Sequence, residues 1–146
     1  IIEPLLGTNP AQVTIANRTL ANAQALCGLF AGRHGHNSLS CVDLSVLAES
    51  DAGTYDLVVN STSLGLSADG VDLPASLAKG SFCYDMSYGD KAAFAGWAKE
   101  QGALHSVDGL GMLVEQAAES FNIWRGVMPR TEKIYQSLKK QVGAQV

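Results

Sequence analysis

Short apolar runs alternate with segments of helical periodicity along this chain, and that alternation restricts the fold more than any other feature. The clearest run, residues 56–60 (DLVVN), has a continuously apolar centre, which is typical of a strand buried on both faces of a parallel sheet. Residues 13–16, 39–42, 82–85 and 103–106 carry similar runs. These runs predict further strands.

The segments between and after these runs have helical spacing. Apolar residues recur at helical intervals within 19–30, around Phe94 and Trp97, and from Gly111 to about Gly126. The sequence also predicts a short helix capped by Asp43, an amphipathic helix over 131–140, and the tail of a helix at residues 1–7. Strands that alternate with helices in this way predict an α/β fold, an open parallel sheet with helices on both faces.

Length, charge and cysteine content exclude several classes of protein. The chain has 146 residues, 47% of them hydrophobic, and a formal net charge of −4. Its length and apolar content predict a single folded domain. Nucleic acid is not expected as a partner, since nucleic-acid-binding domains usually carry a basic excess. No apolar run reaches the roughly 18 residues of a membrane span and no signal sequence is recognisable. We expect a soluble cytoplasmic protein with no membrane partner.

No metal site is predicted. Cys27, Cys41 and Cys83 are odd in number and widely spaced, a pattern that favours reduced core thiols over a disulfide or a metal centre. His34 and His36 lie two apart in a glycine-flanked loop, but no third ligand is close in sequence. A solvated loop is the preferred interpretation of these two histidines.

The carboxyl ends of the strands are the place to look for chemistry, because ligands of open α/β sheets bind there. The first predicted strand ends in Asn17, Arg18 and Thr19. In dinucleotide-binding sheets a carboxylate at this place binds the ribose of NAD, whereas an Arg accommodates the 2′-phosphate of NADP. The tripeptide therefore suits NADP. An equally acceptable interpretation is that Asn17 and Thr19 only cap a helix beside a solvated Arg.

The later strand ends carry small, hydroxyl and sulfur-containing residues. Residues 61–66 are predicted to form a hydroxyl-rich loop, which would allow close approach of a ligand but is also explained as an ordinary turn. Met86 and Met112 could pack on a flat ring, although methionine is more often core filler. Gln116 is a polar residue amid apolar neighbours, and would need a hydrogen-bond partner if buried.

Four motifs in order along the chain carry a family resemblance. They are NRT at 17–19, NSTSLG at 60–65, YDMSY at 84–88 and DGLGMLVEQA at 108–117, followed by FNIWRGVMP at 121–129. In this order and at these spacings they closely resemble the NADP-binding domain of shikimate dehydrogenase. The resemblance covers nearly the whole chain. It implies a Rossmann-like fold over residues 1–146. This fold would be truncated at its N-terminus, without its first strand and glycine-rich turn. The substrate and catalytic domain would be absent from the chain.

The resemblance also implies an activity, the NADPH-dependent reversible reduction of 3-dehydroshikimate to shikimate in aromatic amino-acid biosynthesis. The residues implied to bind NADP are Asn17, Arg18, Thr19, Leu20, Ala21, Asn22, Thr62, Ser63, Met86, Gly109 and Met112. Those implied to reach the substrate, which would be shared with the missing domain, are Tyr88 and Gln116.

The resemblance places no catalytic residue in this chain, because the family's Lys and Asp pair belongs to the other domain. The chain alone is therefore expected to be inactive. Its expected oligomeric state is a monomer or a homodimer. Where the family often has a second Arg, this sequence has Asn22, which implies a weaker preference for NADP over NAD. Two alternatives stay open: an NAD-using quinate/shikimate dehydrogenase, and a non-catalytic sensor or regulator built on the same fold.

Overall fold

A computed structural model of the chain describes residues 1–30, 39–49, 55–63 and 71–143. The chain divides into two compact units, Ile1–Ala52 and Gly53–Val146. The first unit contains the elements α1 (Ile2–Gly7), β1 (Val13–Asn17), α2 (Leu20–Phe30), β2 (Leu39–Asp43) and α3 (Leu44–Glu49). Strands β1 and β2 pair in parallel, with Val13 opposite Leu39 and Asn17 opposite Asp43.

The second unit contains β3 (Leu57–Asn60), β4 (Phe82–Asp85), α4 (Ala93–Glu100), β5 (His105–Val107), α5 (Leu110–Arg125) and α6 (Glu132–Gly143), with two short 3-10 helices, Ala75–Leu77 and Gly89–Lys91. Its three strands form a parallel sheet in the order β3-β4-β5. Asn60 lies opposite Asp85, and Phe82 lies opposite His105. This register brings the carboxyl ends of the strands to one edge of the sheet.

The core of the second unit lies between the sheet and α4. It consists of the buried residues Ala78, Cys83, Phe94 and Ala98, against which Val58, Val71, Leu73, Trp97 and Ala103 pack. The Phe94 and Trp97 rings are in tilted contact, with their centroids 5.4 Å apart. Burial raises the pKa of the Cys83 thiol. Helix α5 buries one stripe, formed by Leu110, Val114 and Ala118, and contacts α6.

The predicted α/β class is confirmed, and each helix and strand expected from the sequence is present within the described residues, with boundaries that differ by a few positions. Strand β5 is the main difference, since it begins at His105 and not at residue 103. Ala103 instead donates its N–H to the Ala98 carbonyl at the end of α4, and Leu104 donates to Ser81. The three cysteines are free thiols, but only Cys83 is buried in the core, whereas Cys27 and Cys41 are half-buried, so the predicted core position is wrong for these two. In the part of the chain that the structure describes, no helix is long and apolar enough to cross a membrane.

Candidate functional site

In the first unit, the end of β1 turns directly into α2. Asn17 Oδ1 accepts the Thr19 N–H at 2.9 Å, and the Asn22 N–H donates to the Thr19 carbonyl at 2.9 Å. These two hydrogen bonds hold the turn that starts α2 at Leu20, with Ala23 fully buried behind it. Asn17 closes the turn that precedes α2, and the N–H that it accepts belongs to Thr19, one residue before the helix begins. Thr19 contributes its backbone groups to this turn.

The side chains around this turn point outward. Arg18, Thr19, Leu20, Ala21 and Asn22 are all exposed. Among the described residues, none forms an ion pair with Arg18. Arg18 lies two residues before the first turn of an eleven-residue helix, and the N–H groups of a first turn have no intrahelical partners. Both features attract an anion.

In the second unit, three loops follow the strand ends and are linked by backbone hydrogen bonds. We call residues 60–63, 85–91 and 107–110 the strand-end loops. The Met86 N–H donates to the Asn60 carbonyl at 2.9 Å, and the Gly109 N–H donates to the Ser87 carbonyl at 2.8 Å. The strand-end loops therefore form one connected surface, which includes the predicted residues Met86 and Gly109.

Two carboxylates reinforce these links. Asp85 is fully buried and accepts N–H groups from Asn60 Nδ2 at 3.2 Å, from Ser87 at 3.0 Å and from Ala95 at 3.3 Å. Asp108 accepts the Leu110 N–H at 3.2 Å and the Gly89 N–H at 3.3 Å. Neither carboxylate is among the residues that the sequence predicts to bind a ligand. The register of β3 against β4, which the sequence alone does not reveal, brings Asn60 to Asp85.

Gly109 is required by close packing. A Cβ atom at this position would lie inside the van der Waals envelope of the Met86 carbonyl group, 2.8 Å from its carbon and 3.1 Å from the Ser87 oxygen. No side chain fits there without moving one of the strand-end loops. The glycine thus lets the start of α5 lie against the loop that carries Met86 and Tyr88.

A shallow pocket of about 380 Å³ opens beside this junction, lined by residues 86–91 and by Val142 of α6. Tyr88, 44% exposed, is one of its walls. Burial raises the pKa of the neighbouring Tyr84 phenol and the Asp108 charge raises it further, while a hydrogen bond with the Met112 backbone acts in the opposite direction. Val142 lies 82 positions after Asn60, the first residue of the strand-end loops, and belongs to none of the sequence motifs.

The predicted site residues fall into two groups, one in each unit. Asn17 to Asn22 cluster at the start of α2, whereas Thr62, Ser63, Met86, Tyr88, Gly109 and Met112 belong to the strand-end loops or the first turn of α5. Gln116 lies further along α5 and is exposed, so it needs no buried partner. His34, His36, Leu64 and Gly65 lie outside the described residues. Within the described residues, no cluster of ligands could hold a metal ion.

Comparison with known proteins identifies the relatives of this chain. Residues 109–139 match the family model of the shikimate 5′-dehydrogenase C-terminal domain. The chain is 47% identical to a shikimate dehydrogenase (NADP(+)) of Alkalilimnicola ehrlichii over 97% of its own length and 50% of that protein. The chain thus spans about half the length of the curated relatives it matches.

Solved structures give the same result. An Ael1 enzyme from Pseudomonas putida superimposes with a TM-score of 0.79 at 38% identity, over 94% of this chain and 49% of that one. Shikimate dehydrogenase from Aquifex aeolicus superimposes with a TM-score of 0.69 at 28% identity, over 91% and 46% of the two chains. By sequence and by fold, this chain belongs to the shikimate dehydrogenase family, and it corresponds to the C-terminal half of those enzymes.

Proposed function

We propose that this chain is the NADP-binding half of a shikimate dehydrogenase, which reduces 3-dehydroshikimate reversibly to shikimate in aromatic amino-acid biosynthesis. The observation that carries the proposal is the exposed Arg18 guanidinium. Arg18 has no ion pair among the described residues and lies two positions before α2, in a chain 47% identical to a relative named for NADP(+). The proposal includes a cytoplasmic location and a monomer or homodimer.

The residues at the end of β1 fit the adenosine 2′-phosphate. The Asn17 side chain fixes the turn, so the exposed Arg18 and Thr19 side chains are held at the start of α2. A guanidinium offers a planar fork of donors to a phosphate, and the helix N-terminus adds free N–H groups. Leu20, Ala21 and Asn22 line the same turn. No acidic side chain occupies 17–22, so no carboxylate there opposes a 2′-phosphate.

The strand-end loops fit the nicotinamide end. Thr62 and Ser63 are exposed and would flank the ribose, while Met86 and Met112, both half-buried, would contact the ring from the loop and from α5. Gly109 allows close approach of the backbone at this point, since a side chain would displace the Met86 carbonyl. When bound, NADP supplies or accepts the hydride.

Tyr88 and Gln116 are the residues of this chain proposed to reach the substrate. Both are exposed, and both can hydrogen-bond a hydroxyl or carboxylate group. No residue of this chain is proposed to move the proton of the reacting oxygen. That group is expected in the half of the relatives that the chain does not match, so catalysis requires both halves.

The test is a fusion of this chain behind the unmatched half of the Alkalilimnicola ehrlichii enzyme. We expect shikimate-dependent reduction of NADP by the fusion and none by the chain alone. Arg18→Ala in the fusion should weaken NADP binding more than NAD binding, because only NADP carries the 2′-phosphate. A folded fusion that binds NADP without turning over shikimate would refute the proposed reaction. Turnover of quinate with NAD in its place would favour the quinate/shikimate alternative.

A further inference from the structure

Asp85 is a buried carboxylate without a cation to balance it among the described residues. It is fully inaccessible to solvent, and its three partners are all N–H donors: the Asn60 amide at 3.2 Å, the Ser87 backbone at 3.0 Å and the Ala95 backbone at 3.3 Å. Burial of a charge is costly unless hydrogen bonds replace its hydration. The convergence of three donors accounts for the choice of an acidic side chain, because a carboxylate only accepts.

Asn60, its partner across the sheet, has both ends of its amide engaged. Nδ2 donates to Asp85, while Oδ1 accepts the Thr62 N–H at 3.1 Å and the Thr62 hydroxyl at 2.7 Å. A reversed amide would set its oxygen against the carboxylate and its NH₂ against the Thr62 N–H. The carboxylate therefore selects the amide orientation that holds the Thr62 turn.

The two oxygens of Asp85 also accept hydrogen bonds from the neighbouring loop and from α4. Oδ1 accepts the Ser87 N–H as well as the Asn60 amide, and Oδ2 accepts the Ala95 N–H in the first turn of α4. One side chain thus joins the loop that carries Thr62 and Ser63 to the loop that carries Met86. Asp85 itself is covered by protein on all sides and cannot touch a ligand.

We propose that Asp85 is a positioning residue for the nicotinamide end of NADP, acting through Asn60 on Thr62 and through the Ser87 N–H on Met86. The inference rests on the proposed function, since it requires the strand-end loops to bind the nicotinamide half. It assigns a distinct task to a residue for which the family resemblance implied no role. A neutral substitute cannot perform the task, because Asn at this place turns an NH₂ group toward one of the three donors.

Ser81, the residue directly before β4, provides a matched control at the opposite end of that strand from Asp85. It is also fully buried, and its hydroxyl contacts the Tyr55 carbonyl at 2.5 Å and the Leu77 carbonyl at 2.9 Å. Ser81→Ala therefore removes a buried polar group from the same sheet without touching the strand-end loops. It separates a general loss of stability from a loss of positioning.

The experiment follows the backbone amide resonances of the full chain during titration with NADPH and with adenosine 2′,5′-bisphosphate, which lacks the nicotinamide half. For Asp85→Asn and Asn60→Ala we expect a shifted Thr62 amide resonance and about tenfold weaker NADPH binding, the loss of about one charge-assisted hydrogen bond. Binding of the bisphosphate should stay within about twofold of wild type. Ser81→Ala should lower the thermal midpoint and leave both affinities and the Thr62 resonance unchanged.

Two outcomes would overturn the inference. One is wild-type NADPH affinity in a folded Asn60→Ala or Asp85→Asn chain, and the other is an equal loss of bisphosphate affinity, which would mark a general structural role. Asn60→Ala leaves the Ser87 and Ala95 bonds to Asp85 in place, so it tests the relay even if Asp85→Asn does not fold. If the wild-type chain binds neither ligand, the proposed function fails first and the inference falls with it.

Discussion

At the residue scale, Asn22 is the position that bears most on cofactor choice. It is exposed in the first turn of α2, four positions after the exposed Arg18. Asn22→Arg places a second guanidinium there, and we expect NADP to bind about tenfold more tightly relative to NAD, since a hydrogen bond to a charged group contributes about 1.5–3 kcal/mol. The measurement is the ratio of the two dissociation constants, with Asn22→Gln as the uncharged control. Equal tightening of NAD and NADP would contradict a 2′-phosphate site.

Tyr84 gives a residue-scale prediction about pH. Burial, and then the Asp108 charge, raises the pKa of its phenol in the folded chain. The folded state therefore holds this proton more tightly than the unfolded state does, so the stabilisation is complete below the unfolded pKa of about 10 and is lost as pH rises through the folded value. Tyr84→Phe should flatten the fall in the free energy of unfolding above that pH. Denaturant titrations across the alkaline range measure it, and a slope unchanged by the substitution would contradict the prediction.

At the element scale, two glycines of the second unit should respond to alanine with opposite signs. Gly126 ends α5 with φ 68°, whereas Gly96 lies inside α4, and a Cβ at either position would meet no atom within 4 Å. The two positions therefore differ in backbone conformation and not in the space available for a side chain. Gly126→Ala should cost about 1 kcal/mol because L residues disfavour positive φ, while Gly96→Ala should stabilise by about 0.5–1 kcal/mol. Thermal unfolding of the two variants checks the signs, and a shared sign would contradict the assigned helix boundaries.

The elements also show which parts of the fold were predictable from sequence. Periodicity located β4 and α5 because their patterns are local, and the strand-end motifs led to Met86 and Gly109. The link between Asn60 and Asp85 was missed because the two residues are 25 positions apart and become neighbours only through the strand register. Likewise β5 begins later than its apolar run suggests, since Ala103 is engaged by the end of α4. Sequence patterns report what one element prefers, whereas these contacts depend on how two elements pair.

At the scale of the whole molecule, the end of α5 and the segment after it expose a group of large apolar side chains, Phe121, Ile123, Trp124, Val127 and Met128. Ile123 is 73% exposed and Trp124 78% exposed. Exposed apolar groups of this kind mark interaction surfaces. The relatives are about twice as long as this chain, so their other half is the partner we expect to cover this group.

Trp124 is a natural probe of that expectation, because the only other tryptophan, Trp97, packs against Phe94 in the core. In a Trp97→Phe background, Trp124 emission should be red-shifted and readily quenched by iodide in the chain alone. It should become blue-shifted and protected in the fusion with the unmatched half of the Alkalilimnicola ehrlichii enzyme. The reciprocal Trp124→Phe chain should show no such change, since Trp97 is already packed. If the chain alone protects Trp124 in proportion to its concentration, and sedimentation shows a dimer, then a second copy covers this surface and the prediction about the other half is wrong.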